Sequence, residues 1–187
     1  MKKDIYLLDG ANGTSLWQKT GDNGPVWRFN KLFPDAVREL TCEFIDAGSD
    51  FVLSNTFSAN RLKLEGTGHS VEEVVTVAIG CAKDACRGTN AKVALDIGPI
   101  GQLMRPMGSL SFDQCYEIFK EMCVAGENAG ADLIAIETMM DLAEARCAVL
   151  AAKENSDLPV FVTNVYGSDG KLMTGADPAA MVAMREG

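Results

Sequence analysis

The sequence predicts an α/β chain that forms part of a (β/α)8 TIM barrel, about its first five strand–helix units. Three observations carry the prediction. Five apolar, strand-like runs alternate with helix-like segments, which implies a parallel sheet with right-handed crossovers. Each run ends on a polar residue just as it becomes a loop, and parallel α/β proteins place their chemistry at the carboxyl ends of strands. Those polar residues are spread over every strand end, as a barrel mouth requires. The rival architecture, a doubly wound open sheet, would show a glycine-rich phosphate loop after the first strand, but Asp9-Gly10-Ala11-Asn12-Gly13 is not G-x-G-x-x-G. A full barrel takes roughly 250 residues. At 187 residues the chain is expected to be a single amino-terminal part, 1–187, with the remaining strands absent.

The first run is Ile5 to Asp9, closing on Gly10. Phe33-Pro34-Asp35 opens the first helix, because proline suits the first turn and Asp35 complements the dipole. Val37, Leu40, Phe44 and Ile45 then recur at helical spacing, and Gly48 stops it. The second run, Asp50 to Thr56, ends on Asn55 and Thr56. Ser70 and Glu73 have capping-box spacing for a second helix reaching about Arg87. The third run, Lys92 to Gly98, carries Asp96. A third helix follows from Ser111 to about Ala129, striped by Phe112, Cys115, Phe119, Met122 and Cys123. The fourth run, Leu133 to Thr138, ends at Glu137 and leads to a helix from Asp141 to about Glu154. The fifth, Val160 to Asn164, precedes a short helix beginning at Asp177-Pro178.

Composition narrows the function classes. A net charge of −9 opposes nucleic acid as a partner, since phosphates need basic patches. No apolar stretch approaches the ~18 residues of a membrane span. Met1 to Asp9 has two lysines but no apolar h-region, so a signal peptide is not expected and the cytoplasm is. The six cysteines fall in helical segments, without C-x-x-C or a histidine at ligand spacing, and read as buried free thiols. His69, the only histidine, reads as a surface residue. Trp17 and Trp27 flank a Gly/Asp/Asn loop, as a lid or as local packing. The methionines Met104, Met107, Met139, Met140 and Met173 read as soft packing near loops.

With parallel strands in register, Asp9, Asp96 and Glu137 converge on one rim. Three carboxylates there make an anionic mouth suited to an ammonium group, a hard metal ion or acid–base work. Asn55, Thr56 and Asn164 add neutral hydrogen-bonding groups. The plainer alternative is that such residues cap helices and tie down loops.

Five segments in order bear a resemblance: LLDGANGT (Leu7–Thr14), AGSDFVLSNTFSANRLKL (Ala47–Leu64), DIGPIGQLMRPMGSLSF (Asp96–Phe112), AGADLIAIETMMDLAEARCAVLAAKE (Ala129–Glu154) and LMTGADP (Leu172–Pro178). Together they resemble the homocysteine S-methyltransferase family, above all the amino-terminal barrel of cobalamin-dependent methionine synthase. The resemblance implies homocysteine and a zinc ion at the mouth of a (β/α)8 barrel. Zinc favours the substrate thiolate, which attacks a methyl group carried by methylcobalamin or by a sulfonium or ammonium donor. It also implies that Asp9 and Glu137 hold the amino-acid ammonium group, that the Asn55-Thr56-Phe57 turn lines the pocket with Thr56 as a polar contact, and that Asp96 stands beside them.

The family's zinc ligands are three cysteines, one near the end of the sixth strand and two in a Gly-Gly-Cys-Cys motif at the eighth. The chain is expected to stop before them, and its own cysteines lie at neither place. No metal ligand and no catalytic residue is therefore assigned, and the chain alone is expected to be inactive. Further methionine synthase domains are expected partners. A non-catalytic half-barrel that binds an amino acid or joins a complementary chain is the alternative. A Mg²⁺- or Mn²⁺-dependent aldolase or isomerase is disfavoured, since no lysine stands at a strand end for a Schiff base.

Overall fold

The structure is a computed structural model in which residues 5–186 are described, the last two by backbone alone. The chain runs α1 (Asn12–Thr20), a 3-10 turn (Val26–Arg28), α2 (Phe29–Leu32), α3 (Pro34–Asp46), β1 (Phe51–Leu53), α4 (Arg61–Leu64) and α5 (Val71–Ala85). It continues with β2 (Lys92–Ile97), α6 (Phe112–Asn128), β3 (Leu133–Met139), α7 (Leu142–Asn155), β4 (Val160–Asn164) and α8 (Pro178–Glu186). The strands form one parallel sheet in the order β1-β2-β3-β4. Each strand lies beside its predecessor and the order never reverses. That is the progression of a barrel wall, with no topological switch point, and the architecture is a partial (β/α)8 barrel.

The first run departs from the expected strand. It lies parallel beside β1, but only as an isolated bridge, Leu8 to Phe51. Leu7 O accepts from Asp50 N (2.8 Å) and Phe51 N (3.1 Å), and Asp9 N donates to Phe51 O (3.1 Å). Its partner strand is three residues long and gives it little ladder to join. Ile5, Tyr6, Leu7 and Leu8 all stay exposed. The run thus delivers Asp9 to the mouth without strand geometry of its own.

Residues 12–32, expected as a loop, fold instead into α1, the 3-10 turn and α2. Gly13, Thr14 and Ser15 are weak helix formers and α1 has no side-chain cap, so local propensity does not announce it. Burial supplies the stability. Leu16 and Phe29 pack with Val37 and Leu40 of α3 into a cluster of their own, and Gly21, at φ 70°, closes α1 in the left-handed conformation.

Later boundaries follow their capping residues. Ser111 and Gln114 form a reciprocal capping box at α6. Ser70 accepts from Glu73 N at α5, and Asp141 from Ala143 N at α7. Helix α5 ends at Ala85, two residues short of the expected Arg87, with Cys86 as its cap.

Strand alternation divides the core. Val93, Leu95, Ile97, Ile134 and Ile136 pack outward into the main cluster with residues of α5, α6 and α7. Gly126 lets α6 lie close on β2, because a Cβ there would stand 2.4 Å from a Leu95 methyl. Leu53, Ala94, Leu133 and Ala135 form a separate cluster on the opposite face.

Five cysteines are buried, Cys42 is half-buried and all six are free. Met104 and Met139 are core residues, whereas Met107, Met140 and Met173 are exposed. Among the described residues, no helix is long and apolar enough to cross a membrane.

Candidate active site at the strand ends

On β2 and β3 the register pairs Asp96 with Ala135, and Glu137 follows two positions on, so both acids project to the face opposite the helices. Asp9 joins them from the first run. All three line one cavity of about 520 Å³, together with Leu8, Asn12, Trp17, Val26, Leu53, Asn55, Phe57 and Thr138. That volume suits an amino-acid-sized molecule.

Asp9 is fixed by Oδ2, which accepts from Leu53 N (2.9 Å) and from Asn12 Nδ2 (3.5 Å). Its Oδ1 is buried without a partner. Burial drives its pKa up to about 7, with the Glu137 charge adding to the rise and the two hydrogen bonds opposing it. Asp96 is buried more deeply still, and its Oδ1 also lacks a partner. Its burial, then the charges of Glu137 and Asp9, hold its carboxyl well above the ordinary range. Glu137 is raised by burial as well.

Glu137 is aimed by an irregular backbone. The β3–β4 register shifts between Ile136 and Met139. Inside that bulge Thr138 takes φ 62°, a left-handed conformation rare for a β-branched residue. Thr138 N donates to Thr163 Oγ1 at 3.1 Å, which ties the bulge to β4.

The Asn55-Thr56-Phe57 turn splits in role. Asn55 lines the cavity and donates to Val26 O (2.6 Å), while its own carbonyl accepts from Asn30 Nδ2 (3.1 Å). The Phe57 ring forms a wall, and Gly98 is required behind it, since a Cβ there would approach the ring to 2.5 Å. Thr56 lies outside the cavity lining. Its fully buried hydroxyl donates to Asp96 O (2.7 Å) and meets Ser54 Oγ (2.7 Å), while Asp96 N donates to the same Ser54 oxygen (3.1 Å). Thr56 therefore holds the β2 end in place. Asn164, at the end of β4, keeps a buried Oδ1 without a partner and is likewise outside the lining.

The two tryptophans separate as well. Trp17 walls the cavity and donates from Nε1 to Gly24 O (3.0 Å). Trp27 is core, edge-on to His69 at 5.5 Å. His69 is bound to Glu73 at 3.1 Å on the outer surface. Asn12 and Thr138 are the site residues that motif reading passed over, while Trp17, one of the two candidate lid residues, does wall the cavity. Asn12 was visible in the D-G-A-N sequence, but nothing in the sequence announces the left-handed Thr138.

Among the described residues, no Lys, Arg or His lines the cavity. The arrangement is chemically suited to a small molecule with a cationic head and an apolar body. It is not suited to zinc. Among the described residues no three His, Cys, Asp or Glu side chains converge as a metal site. The thiols of Cys81, Cys86 and Cys123 are pushed up by burial, Cys123 to about 12, and that of Cys115 first by its hydrogen bond to Cys147. Inert helix thiols of this kind are poor ligands.

Fold and mouth together define a barrel-type protein with an acidic, amino-acid-sized site at its strand ends. Comparison with known proteins makes this more particular. The homocysteine S-methyltransferase family profile matches residues 6–187, and the chain belongs to that family of methyltransferases. It is 24% identical over 202 residues to methionine synthase of Mycobacterium leprae (strain TN), a match covering 97% of this chain and 17% of that protein. It is 24% identical over 199 residues to homocysteine S-methyltransferase YbgG of Bacillus subtilis (strain 168), covering 94% of this chain and 63% of that one. The fold matches the metallated form of the homocysteine methyltransferase MmuM from Escherichia coli with a TM-score of 0.86 at 21% identity, over 98% of this chain and 70% of that chain. The chain thus spans less than two thirds of the length of the first two of these relatives.

Proposed function

We propose that this chain carries the amino-acid-binding part of a homocysteine S-methyltransferase site. The observation that carries the reading is the convergence of Asp9, Asp96 and Glu137 on one cavity, with no basic residue in its described lining, in a member of this family. Asp9 and Glu137 accept N–H bonds from the substrate ammonium. Leu53, Phe57 and Trp17 flank its aliphatic part, and Asn55 sets the far wall. Thr56 acts indirectly, by holding Asp96.

The reaction transfers a methyl group to the sulfur of homocysteine, giving methionine. Zinc, where the family uses it, supplies thiolate activation. The described residues offer it no ligand set, so no step is assigned to it here. The finer reading is the methionine synthase type, with methylcobalamin as donor and further domains as partners. It is supported by the ordered motifs and by the Mycobacterium leprae relative. Six free thiols support a reducing, cytoplasmic setting.

A second reading, a half-barrel that binds an amino acid or joins a complementary chain without catalysis, is favoured by the exposed apolar run Ile5–Leu8.

Calorimetric titration with L-homocysteine tests the site. Glu137→Gln is expected to weaken binding by about 1.5–3 kcal/mol, the usual worth of a charge-assisted hydrogen bond. Unchanged affinity would remove Glu137 from the ammonium site.

A further inference from the structure

The mouth gathers three acids, and among the described residues no cation faces them. Asp9, Asp96 and Glu137 share the cavity, and its remaining lining is neutral. Two of their oxygens, Asp9 Oδ1 and Asp96 Oδ1, are buried and unpartnered. Asp96 is 4% exposed, the most enclosed of the cavity's acids.

The charged groups facing Asp96 are Glu137 on β3 and Asp9 on the first run, both acidic. Glu144 of α7 reaches the loop beyond β2, but its Oε1 accepts from Ile100 N at 2.7 Å. Lys63 of α4 lies against Gly101 in that loop, and it is not among the charges that act on Asp96. From below, Thr56 and Ser54 bond the Asp96 backbone and leave its carboxyl unanswered. Three carboxylates in one poorly solvated site cannot all ionise, because each added charge pays desolvation and meets the others' repulsion. They titrate as a unit.

We propose that the empty mouth stores a proton, seated chiefly on Asp96 and shared with Asp9 and Glu137, and that a primary ammonium entering the mouth displaces it to solvent. The ligand in this inference rests on the amino-acid reading above, but the stored proton does not. The exchange balances: the ammonium brings one positive charge, the carboxylic O–H bond breaks, and its proton leaves to buffer. Affinity for an amino acid therefore rises with pH while the mouth is protonated, by up to about tenfold per pH unit for one displaced proton. The rise flattens once the cluster has already ionised.

L-methionine is the right probe, since its thioether carries no proton and any release comes from the mouth. Calorimetry of the protein at mildly acid pH, in phosphate and in Bis-Tris, is expected to give heats that differ by the buffers' ionisation enthalpies, at close to one proton released per methionine bound. Asp96→Asn is expected to abolish most of that release. Identical heats in the two buffers would overturn the displacement. A second measurement needs neither ligand nor variant. Infrared spectra of the free protein are expected to show a protonated-carboxyl C=O stretch that persists at neutral pH and disappears on alkaline titration. If that band is absent, the stored proton is wrong however methionine behaves. If the band is present and methionine does not bind, the proton stands and the amino-acid reading of the mouth falls.

Discussion

Leu95 and Asp96 are neighbours in the chain and occupy opposite physical settings. Leu95 is fully buried against α6, in the cluster that joins the sheet to its helices. Asp96 is almost as enclosed, but among carboxylates and without a partner for Oδ1. The same depth of burial stabilises the fold at one residue and costs it stability at the next. Strand alternation is the whole cause: one face of β2 holds the molecule together, and the other face, at its carboxyl end, lines the candidate site.

The sharpest way to break the comparison is on the outer face. Leu95→Ala is expected to cost about 2–5 kcal/mol in denaturant unfolding, the range for a buried leucine that leaves a cavity. A loss below about 1 kcal/mol would mean that the sheet and helices are less tightly packed than they stand.

The acidic side is expected to answer with the opposite sign. The Asp9 pKa of about 7 lies above its ordinary 3.8, so between those values the folded protein holds a proton that the unfolded chain has released. Stability therefore falls as pH rises through that window and stays reduced above it. Asp9→Asn is expected to reduce the slope, leaving the part set by Asp96 and Glu137, and to make the variant more stable than the parent at mildly alkaline pH by on the order of 2–4 kcal/mol, with little difference at pH below about 4. Melting temperatures of both proteins across that range are the check. The predicted Glu137→Gln effect on homocysteine binding comes next in size.

The smallest effect tests the helices alone. Ser111→Ala removes half of a capping box at α6 and is expected to cost about 1 kcal/mol without altering ligand affinity. A change in affinity would mean that the helical layer and the mouth are not separable.

The parts readable from sequence are those in which local pattern and burial agree. Val93, Leu95 and Ile97 alternate with Ala94 and Asp96, and the strand lies where that alternation places it. Ser70, Ser111 and Asp141 mark helix starts because capping is a local event. The acids at 96 and 137 share a cavity because parallel register brings strand ends together, and Asp9 joins them from a run bridged in parallel to β1. Three features escaped for identifiable reasons. The first run has strand-like residues but a partner too short to form a ladder with it. Helix α1 is held by the distant contacts of Leu16, which its weak propensity hides. The hydroxyl of Thr56 looks available in sequence, yet in the fold it is taken by the carbonyl of Asp96.

Thr138 places a β-branched side chain where the backbone favours glycine. Thr138→Gly is expected to relieve that conformation, with thermal melts no lower than the parent's and homocysteine bound less tightly. The left-handed Thr138 sets local backbone stability against the direction of one carboxylate, and that pair of measurements weighs the two.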